Sequence, residues 1–285
     1  MTNKVRYNGD NSRRGLSPAL WGDQAKVVAD QDLGKCVFQF EDFRGWSTHT
    51  VNTNAVIQGS AASWKVIASD GVLINPPATV DLATGESGVL TISGADADND
   101  ELYLCNPYEW LKLDDSVPNR IKLECRMRKD VLTDATSSFS FGLTKVSDAV
   151  AAMLTDGTGV LEANVDFVGF QQLTDDGDAI DLVYQATGQT LNTLLANAGT
   201  MTANTFIKLG LEYNPTPGDL NCLKFYIDGV HVNRVANTVS AADIAAATFP
   251  DAVAVVPVFG FIMNGTGDAS YPALDWIAAG QWFEN

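Results

Sequence analysis

The chain has 285 residues, of which 35 are acidic and 18 basic, and its formal net charge at pH 7 is −17. A hydrophobic fraction of 46% and a charged fraction of 19% are enough to bury a full core, which excludes an intrinsically disordered chain. The acidic balance argues against general binding to nucleic acid or to an anionic membrane, and every apolar run is too short for a transmembrane helix. Because the first six residues contain no apolar stretch, we expect no cleaved secretory signal.

Positive charge gathers at the start of the chain. The first twenty residues contain four cations and one acid, a local charge of +3: Lys4, Arg6, Asp10, Arg13 and Arg14. Apolar periodicity is absent there, so we expect an extended basic arm over residues 1–34 and an acidic body over residues 35–285. The arm is either a frayed terminus or a segment that orders on the acidic surface of a neighbouring subunit. Four residues that a purely solvated tail would not need support the second interpretation: Tyr7, Leu16, Leu20 and Trp21.

Apolar and polar residues alternate along most of the body, which is typical of half-buried antiparallel strands. In the clearest example the odd-numbered residues from Ile121 to Met127 are apolar and the even-numbered ones are charged. An Asp228-Gly229 pair between two such runs predicts a β-hairpin. The predicted strands cover residues 36–43, 64–69, 88–93, 101–105, 121–128, 138–144, 163–172, 179–185, 206–213, 221–227, 230–235, 253–263 and 273–283.

Helix is scarce in the sequence. Ser240 precedes the alanine-rich stretch 241–247, with Asp243 three residues after the serine, which predicts one short capped helix. Residues 148–154 are a second candidate. A dozen or more short strands with so little helix predict an all-β fold, a two-sheet antiparallel sandwich with one or two short helices.

The cysteines and histidines indicate neither a disulfide framework nor a zinc site. The four cysteines are 69, 20 and 97 residues apart and form no CxxC pair: Cys36, Cys105, Cys125 and Cys222. Because His49 and His231 are the only histidines and adjoin no nucleophile motif, we expect ordinary surface positions for both. Reduced, buried cysteines suit a protein assembled in a cytoplasm, and we expect no cofactor.

Two acidic runs are candidates for a metal site. Residues 96–101 begin like a calcium loop, with carboxylates at positions one, three and five, but Glu101 and Pro107 stand where an EF-hand needs Gly and Glu. A looser calcium site is one interpretation. A solvated acidic turn is the other, and we prefer it both here and at residues 175–178, so no metal is predicted.

One acidic cluster invites a glycosidase interpretation. Glu162, Asn164 and Asp166 would share one face of the predicted strand 163–172. Four strand residues separate the two carboxylates by about 13 Å, whereas the paired carboxylates of glycosidases lie about 5–5.5 Å or about 6.5–9.5 Å apart. We therefore predict that the chain is not an enzyme. Five tryptophans are either sugar-stacking rings or, more simply, core and interface anchors: Trp46, Trp64, Trp110, Trp276 and Trp282.

Several runs resemble the concanavalin A-like and laminin G-like domains. Residues 206–213 and 223–230 resemble the late strands of that family, with the pattern F-Y-x-D-G-x after a turn. Residues 38–46 are similar to its first strand and residues 274–277 to its last, so the resemblance covers about residues 35–285. It implies a jelly-roll sandwich. It does not imply the family's activities, because the paired-acid strand of the glucanases and the metal-and-sugar residues of the legume lectins are missing.

The arm carries a second resemblance. Residues 12–21, leading through 32–34 into 40–43, look similar to virion structural proteins of tailed bacteriophages, in which a basic arm precedes a concanavalin A-like sandwich. This resemblance implies a head decoration, or cement, protein made in the host cytoplasm and bound to the capsid surface. Its partner would be the major capsid protein, with a homodimer or homotrimer left open and no nucleic acid or membrane involved.

The resemblance implies contact residues in the arm. Three cations would pair with capsid carboxylates and three apolar residues would fill capsid pockets: Arg6, Arg13, Arg14, Tyr7, Leu16 and Trp21. The alternatives are a carbohydrate-binding module of a phage tail or surface protein and a glycan-cleaving enzyme. A carbohydrate-binding module predicts at least two aromatic rings on one solvent-facing sheet surface, and an enzyme predicts two carboxylates across a cleft. A decoration protein predicts neither.

Overall fold

Two antiparallel sheets of nine strands each pack face to face in the computed structural model, which confirms the predicted all-β sandwich. The structure describes residues 15–22, 35–43, 49–51, 55–58, 63–68, 72–75, 89–93, 101–117, 119–130, 132, 137–149, 153–216, 218–234, 237–264 and 272–283. In chain order the strands are β1 (Cys36–Glu41), β2 (His49–Val51), β3 (Ala55–Gln58), β4 (Ser63–Ala68), β5 (Val72–Asn75), β6 (Leu90–Ser93), β7 (Glu101–Cys105), β8 (Leu111–Leu113), β9 (Asn119–Lys129), β10 (Ser137–Thr144), β11 (Phe167–Gln172), β12 (Ala179–Gln185), β13 (Asn192–Thr200), β14 (Ile207–Tyr213), β15 (Leu223–Ile227), β16 (Val230–His231), β17 (Val253–Met263) and β18 (Pro272–Phe283).

The two sheets are built on the same plan. Sheet A has the order β16-β15-β14-β9-β18-β6-β5-β2, and β1 pairs with β18 alongside β6. Sheet B has the order β13-β12-β11-β10-β17-β7-β4-β3, and β8 pairs with β17 alongside β7. In each sheet one long strand, β18 with 12 residues or β17 with 11, therefore joins two groups of shorter strands.

The main core lies between the sheets, where the inward-facing residues of both meet. The alternation in β9 sends Ile121, Leu123, Cys125 and Met127 into this core, and all four are fully buried. Full burial of such a side chain contributes about 1.5–3 kcal/mol each. Phenylalanine rings from facing strands complete the layer, with Phe170 and Phe225 edge-to-face across the two sheets: Phe139, Phe141, Phe170, Phe225 and Phe259.

Two short helices occur in the described part of the chain. Helix α1 (Pro18–Trp21) precedes the sandwich, and helix α2 (Ala241–Ile244) begins at the predicted Ser240. In α2 the Ser240 side chain accepts from the Asp243 N–H while the Asp243 carboxylate accepts from the Ser240 N–H, a capping box that satisfies two backbone donors. No helix among the described residues is both long enough and apolar enough to cross a bilayer.

Some predicted boundaries are wrong. Described residues of the candidate helix 148–154 are not helical, because Asp148 and Ala149 lie in a turn and Leu154 forms an isolated bridge. The strand predicted from residue 163 begins only at Phe167. The hairpin between β15 and β16 is confirmed, and both residues of its turn have the positive φ that a type I′ turn requires: Asp228 at 50° and Gly229 at 76°.

Residues 145–149 and 153–166 cover part of the outer face of sheet B. Among these, the apolar residues Met153, Leu154 and Leu161 pack with Tyr103 and other outward-facing residues in a second buried cluster. The Leu154 N–H donates to the Tyr103 hydroxyl at 3.0 Å and fixes the segment to the sheet. This part of sheet B is therefore closed to solvent. The four cysteines are free and buried, as expected.

Candidate interaction face

The outer face of sheet A combines most of the features from which an interaction site can be built. The even-numbered residues of β9 share a face with the even-numbered residues of β18 from Trp276 onward, beyond the bulge after Leu274, and this face points away from the core. We call this surface the A face and define it by twelve residues: Phe38, Phe40, Arg120, Lys122, Arg126, Arg128, Phe206, Lys208, Lys224, Tyr226, Trp276 and Trp282.

Six of the chain's 18 cations lie on the A face. The Glu212 carboxylate lies among three of them. Its oxygens are 3.5 Å from Arg120 Nε, 4.0 Å from Lys122 Nζ and 3.9 Å from Lys224 Nζ. Five acids accompany the six cations, namely Asp130, Glu212, Asp228, Asp275 and the buried Glu124, which leaves a local charge of +1. The A face is therefore electropositive on a chain whose net charge is −17.

Aromatic rings form the other half of the A face. The ring centroids of Phe40 and Trp276 lie 5.8 Å apart. The guanidinium carbons of Arg126 and Arg128 lie 3.9 and 4.9 Å from the centroid of the Phe206 ring. Such cation–π contacts each contribute about 0.5–1 kcal/mol at exposed sites. Phe38, Phe40, Phe206 and Trp282 are only half-buried, so the described chain leaves part of each ring uncovered.

Residues 15–22 lie across the A face. The Ser17 N–H and the Trp21 Nε1–H both donate to Glu124 Oε2, at 2.9 and 2.8 Å. In return Lys122 Nζ donates to the Leu20 carbonyl oxygen at 2.6 Å, and Lys208 Nζ to that of Gly15 at 3.3 Å.

A glycine on β14 allows the segment to approach the sheet this closely. A Cβ atom at Gly210 would lie 2.7 Å from Leu20 Cδ2. The Leu20 and Trp21 side chains fill the space above the strand and are both buried.

Burial controls the electrostatics under this segment. Glu124 is fully buried, and desolvation raises the pKa of its carboxyl group, an effect that the hydrogen bonds from Ser17 and Trp21 and the charge of Lys208 oppose. Desolvation likewise lowers the pKa of Lys208, with the negative charge of Glu124 opposing it. The buried carboxylate is thus held by donors from a segment more than 100 residues away in the sequence.

The structure places two of the six predicted contact residues on the body of the chain itself. Trp21 is 3% exposed and packs against Phe38 and Trp282, at centroid distances of 5.5 and 5.9 Å, so its ring lies in a pocket of its own chain. Its contact with a partner stays a prediction. Leu16 is half-buried against the same cluster. The other four lie outside the described residues: Arg6, Tyr7, Arg13 and Arg14. Within the predicted arm, residues 18–21 form a helical turn rather than an extended segment.

The acidic cluster of the glycosidase interpretation does not lie on a strand. The Val165 N–H donates to the Glu162 carbonyl oxygen, so the segment turns where a strand was predicted. Asp166 pairs with Lys145 and accepts from the Thr187 N–H, while Glu162 accepts from the Thr155 hydroxyl. Both carboxylates therefore hold together the segment that covers sheet B.

The remaining candidates also have structural partners or fall outside the described residues. His231 is half-buried and lies 3.0 Å from the Asn233 side chain, and desolvation lowers its pKa. The Trp64 and Trp110 indoles donate to Glu41 and Asn106. Residues 175–178 lie in a turn, as predicted. Trp46, residues 96–100 and the side chain of His49 lie outside the described part.

Comparison with known proteins identifies solved structures that have a similar fold. No protein-family model and no curated protein sequence matches this chain. A protein of unknown function from Shewanella oneidensis MR-1 superimposes with a TM-score of 0.55 and 9% identity, over 90% of this chain and 94% of that one. Peanut lectin, in a complex with a 9mer peptide, superimposes with a TM-score of 0.53 and 9% identity, over 84% and 98%.

An endo-1,3-beta-glucanase from Streptomyces sioyaensis is also similar, with a TM-score of 0.47 and 12% identity over 88% and 98% of the two chains. The chain thus has the concanavalin A-like, lectin-like jelly-roll fold, as the sequence resemblance implied. At these identities the likeness extends to the fold alone.

Proposed function

We propose that the chain is a non-enzymatic structural protein of a phage virion, which decorates the capsid and clamps neighbouring major capsid subunits. The observation that supports this proposal is the net positive charge of the A face on an acidic protein, whereas the half-buried aromatic rings of that face are the feature that the second candidate below predicts. Such a surface fits a carboxylate-rich partner, because electrostatic complementarity steers association and aromatic and Arg side chains are enriched in interface cores.

The arm adds to this surface. Arg13 and Arg14 directly precede Gly15, whose carbonyl oxygen accepts from Lys208 on the A face. The sequence therefore continues from the A face into two further positive charges. A modest contact of this kind becomes strong when it is repeated over a symmetric lattice.

Co-sedimentation with undecorated phage capsids tests the proposal. We compare the full chain, a chain lacking residues 1–14, and the double variant Arg13→Glu with Arg14→Glu. The deletion stops at residue 14 because Ser17 and Trp21 supply the hydrogen bonds of buried Glu124. We expect saturable binding of the full chain and an affinity lowered about tenfold or more in both altered chains. The loss should shrink as salt screens the interaction.

A matched control changes the charge by the same amount elsewhere. Lys35→Glu with Arg234→Glu reverses two exposed cations that are not part of the A face. We expect this variant to bind as the full chain does. If it binds as weakly as the arm variant, net charge alone governs attachment. If the arm deletion binds capsids undiminished, the arm has no part in the contact.

Carbohydrate binding is the second candidate, because the half-buried rings of Phe38, Phe40 and Trp282 meet the requirement for aromatics on one sheet surface. An insoluble polysaccharide pellet run beside the capsids distinguishes the two. Binding to the polysaccharide that is lost in Phe40→Ala, without binding to capsids, would replace the decoration role by a lectin-like one.

A further inference from the structure

Three carboxylates meet at one end of the sandwich, away from the A face. Asp114 and Asp115 directly follow β8, and Asp251 lies two residues before β17. Because β8 and β17 pair antiparallel with Leu113 opposite Val253, the residue after one strand meets the residue before the other. One oxygen from each of the three side chains lies within 4.8 Å of the other two.

The negative charge of this cluster is only partly balanced. Asp114 is buried and lies 2.5 Å from Lys112 Nζ, and it also accepts from the Ser116 N–H and hydroxyl. Asp251 accepts from the Asp115 N–H at 2.9 Å. No ion pair to Asp115 or Asp251 is present in the described part of the chain, so the cluster has two carboxylates in excess of its cation. Burial and then the charges of Asp251 and Asp114 raise the pKa of Asp115 accordingly.

A buried hydroxyl group faces the same cluster. Tyr213 is the last residue of β14 and is 0% exposed, and among the described residues its hydroxyl has no hydrogen-bond partner of normal geometry. The Asp114 backbone N–H approaches the hydroxyl oxygen, and the charges of Asp251, Asp115 and Asp114 act on it. A buried hydroxyl that neighbours three carboxylates and donates to none is costly, by about 1–3 kcal/mol, unless another group completes the site.

We propose that Asp114, Asp115, Asp251 and the Tyr213 hydroxyl form a binding site for a divalent cation, with Ca²⁺ as the ion. All the available ligands are oxygens, which hard cations select. Ca²⁺ accepts irregular sets of oxygen ligands together with water, whereas Mg²⁺ demands a near-ideal octahedron. The ion would neutralise the excess carboxylates, and a water bound to it would accept the hydrogen bond that the Tyr213 hydroxyl does not otherwise donate. It would thereby join the turn after β8 to the start of β17.

Metal binding is measured on the full chain after dialysis against EDTA. Terbium, a luminescent substitute for Ca²⁺, is titrated with excitation of the aromatic rings and then displaced with CaCl₂. The thermal unfolding midpoint is recorded in EDTA and in CaCl₂. We expect saturable emission that CaCl₂ reverses. The midpoint should rise by roughly 5 °C when Ca²⁺ is about 100 times its dissociation constant.

Matched variants assign the site. Asp251→Asn keeps an oxygen that can accept from the Asp115 N–H while removing a charged ligand, and Asp115→Asn removes a charge from the carboxyl group that contacts Asp251. Asp175→Asn makes the same charge change in an exposed turn. We expect both cluster variants to lose the emission and the midpoint shift, and Asp175→Asn to keep them.

Two results would overturn the proposal. One is a wild-type chain whose midpoint and terbium emission do not respond to millimolar CaCl₂. The other is an Asp175→Asn chain that loses as much as the cluster variants. If Asp251→Asn fails to fold in EDTA, as judged by circular dichroism, Asp115→Asn decides the outcome.

Discussion

A buried lysine gives the sharpest test of the sandwich interior. Lys129 ends the inward-facing row of β9, where its Nζ donates to the Ser137 carbonyl oxygen at 3.2 Å and to Gln172 Oε1 at 2.9 Å. It is 2% exposed, and desolvation lowers its pKa from 10.5 to about 7. The perturbation is Lys129→Met, which keeps a long, unbranched side chain and removes the titrating group.

The pH dependence follows from the two pKa values. Between about pH 7 and pH 10.5 the unfolded chain binds more protons than the folded chain, so the free energy of unfolding rises with pH in that window. At 1.36 kcal/mol for each pKa unit, the whole difference corresponds to about 5 kcal/mol. As the pH rises from 6 to 9, about 2.7 kcal/mol of this difference is added to the free energy of unfolding. In Lys129→Met the pH-dependent contribution of this ionisation to the free energy of unfolding is absent. The loss of the two hydrogen bonds changes its stability by an amount that does not depend on pH.

The assay is urea denaturation of both chains at pH 6, 7, 8 and 9. We expect the stability difference, wild type minus Lys129→Met, to increase by about 2–3 kcal/mol over this range. Lys35→Met serves as the control, because Lys35 is exposed and its carbonyl oxygen, which accepts from the Phe283 N–H, is kept, so its curve should be parallel to that of the wild type. A difference for Lys129→Met that stays constant within about 0.5 kcal/mol would show that Lys129 is not desolvated in the folded chain.

Three further substitutions test the packing by urea denaturation at pH 7. Trp21→Ala should lower the free energy of unfolding by about 3 kcal/mol. The control Leu220→Ala changes a residue that is 76% exposed and should alter this free energy by less than about 0.5 kcal/mol. Equal effects would mean that residues 15–22 do not pack as described. Gly142→Ala would place a Cβ 2.2 Å from the Val168 carbonyl oxygen and should cost about 3 kcal/mol or prevent folding, so a neutral result would contradict this strand spacing. Ser240→Ala removes the capping box of α2 and should cost about 1 kcal/mol; no loss would mean that the cap is not formed in solution.

Alternation predicted β9, which has one buried and one polar face, and a continuous apolar run predicted β17, which is buried on both faces. For β9 the predicted residues 121–128 became 119–129, and β17 was predicted with both ends correct. Both strands lie inside a sheet, where packing against the core determines on which face of the sheet each side chain lies. The capped helix α2 was equally predictable, because its signal lies within four consecutive residues.

Strands without a buried face were missed. β13 is an edge strand whose nine residues are all half-buried or exposed, and its register against β12 shifts twice. Its side chains therefore carry no periodic signal. β8 has only three residues, too few for a pattern. The strand predicted from residue 163 failed for a local reason, the turn that the Val165 N–H closes on Glu162.

The A face could be predicted only in part, because its composition depends on register between distant strands. The sequence identified the charged side of β9. The pairing of β14 with β9 places Lys208 opposite Arg126 and Glu212 opposite Lys122. The partner of Trp21 lies 103 residues away, so no local pattern could connect that residue to Glu124.

The two long strands near the end of the chain determine when the protein can fold during synthesis. Among the strands that the structure describes, β18 alone joins β9 to β1 and β6, and β17 alone joins β10 to β7 and β8. Until residues 253–283 leave the ribosome, each sheet exists as two separate halves whose open edges offer unpaired backbone groups. The residues translated before β17 must therefore avoid association until β17 and β18 emerge, and dense negative charge is a direct way to keep such intermediates apart.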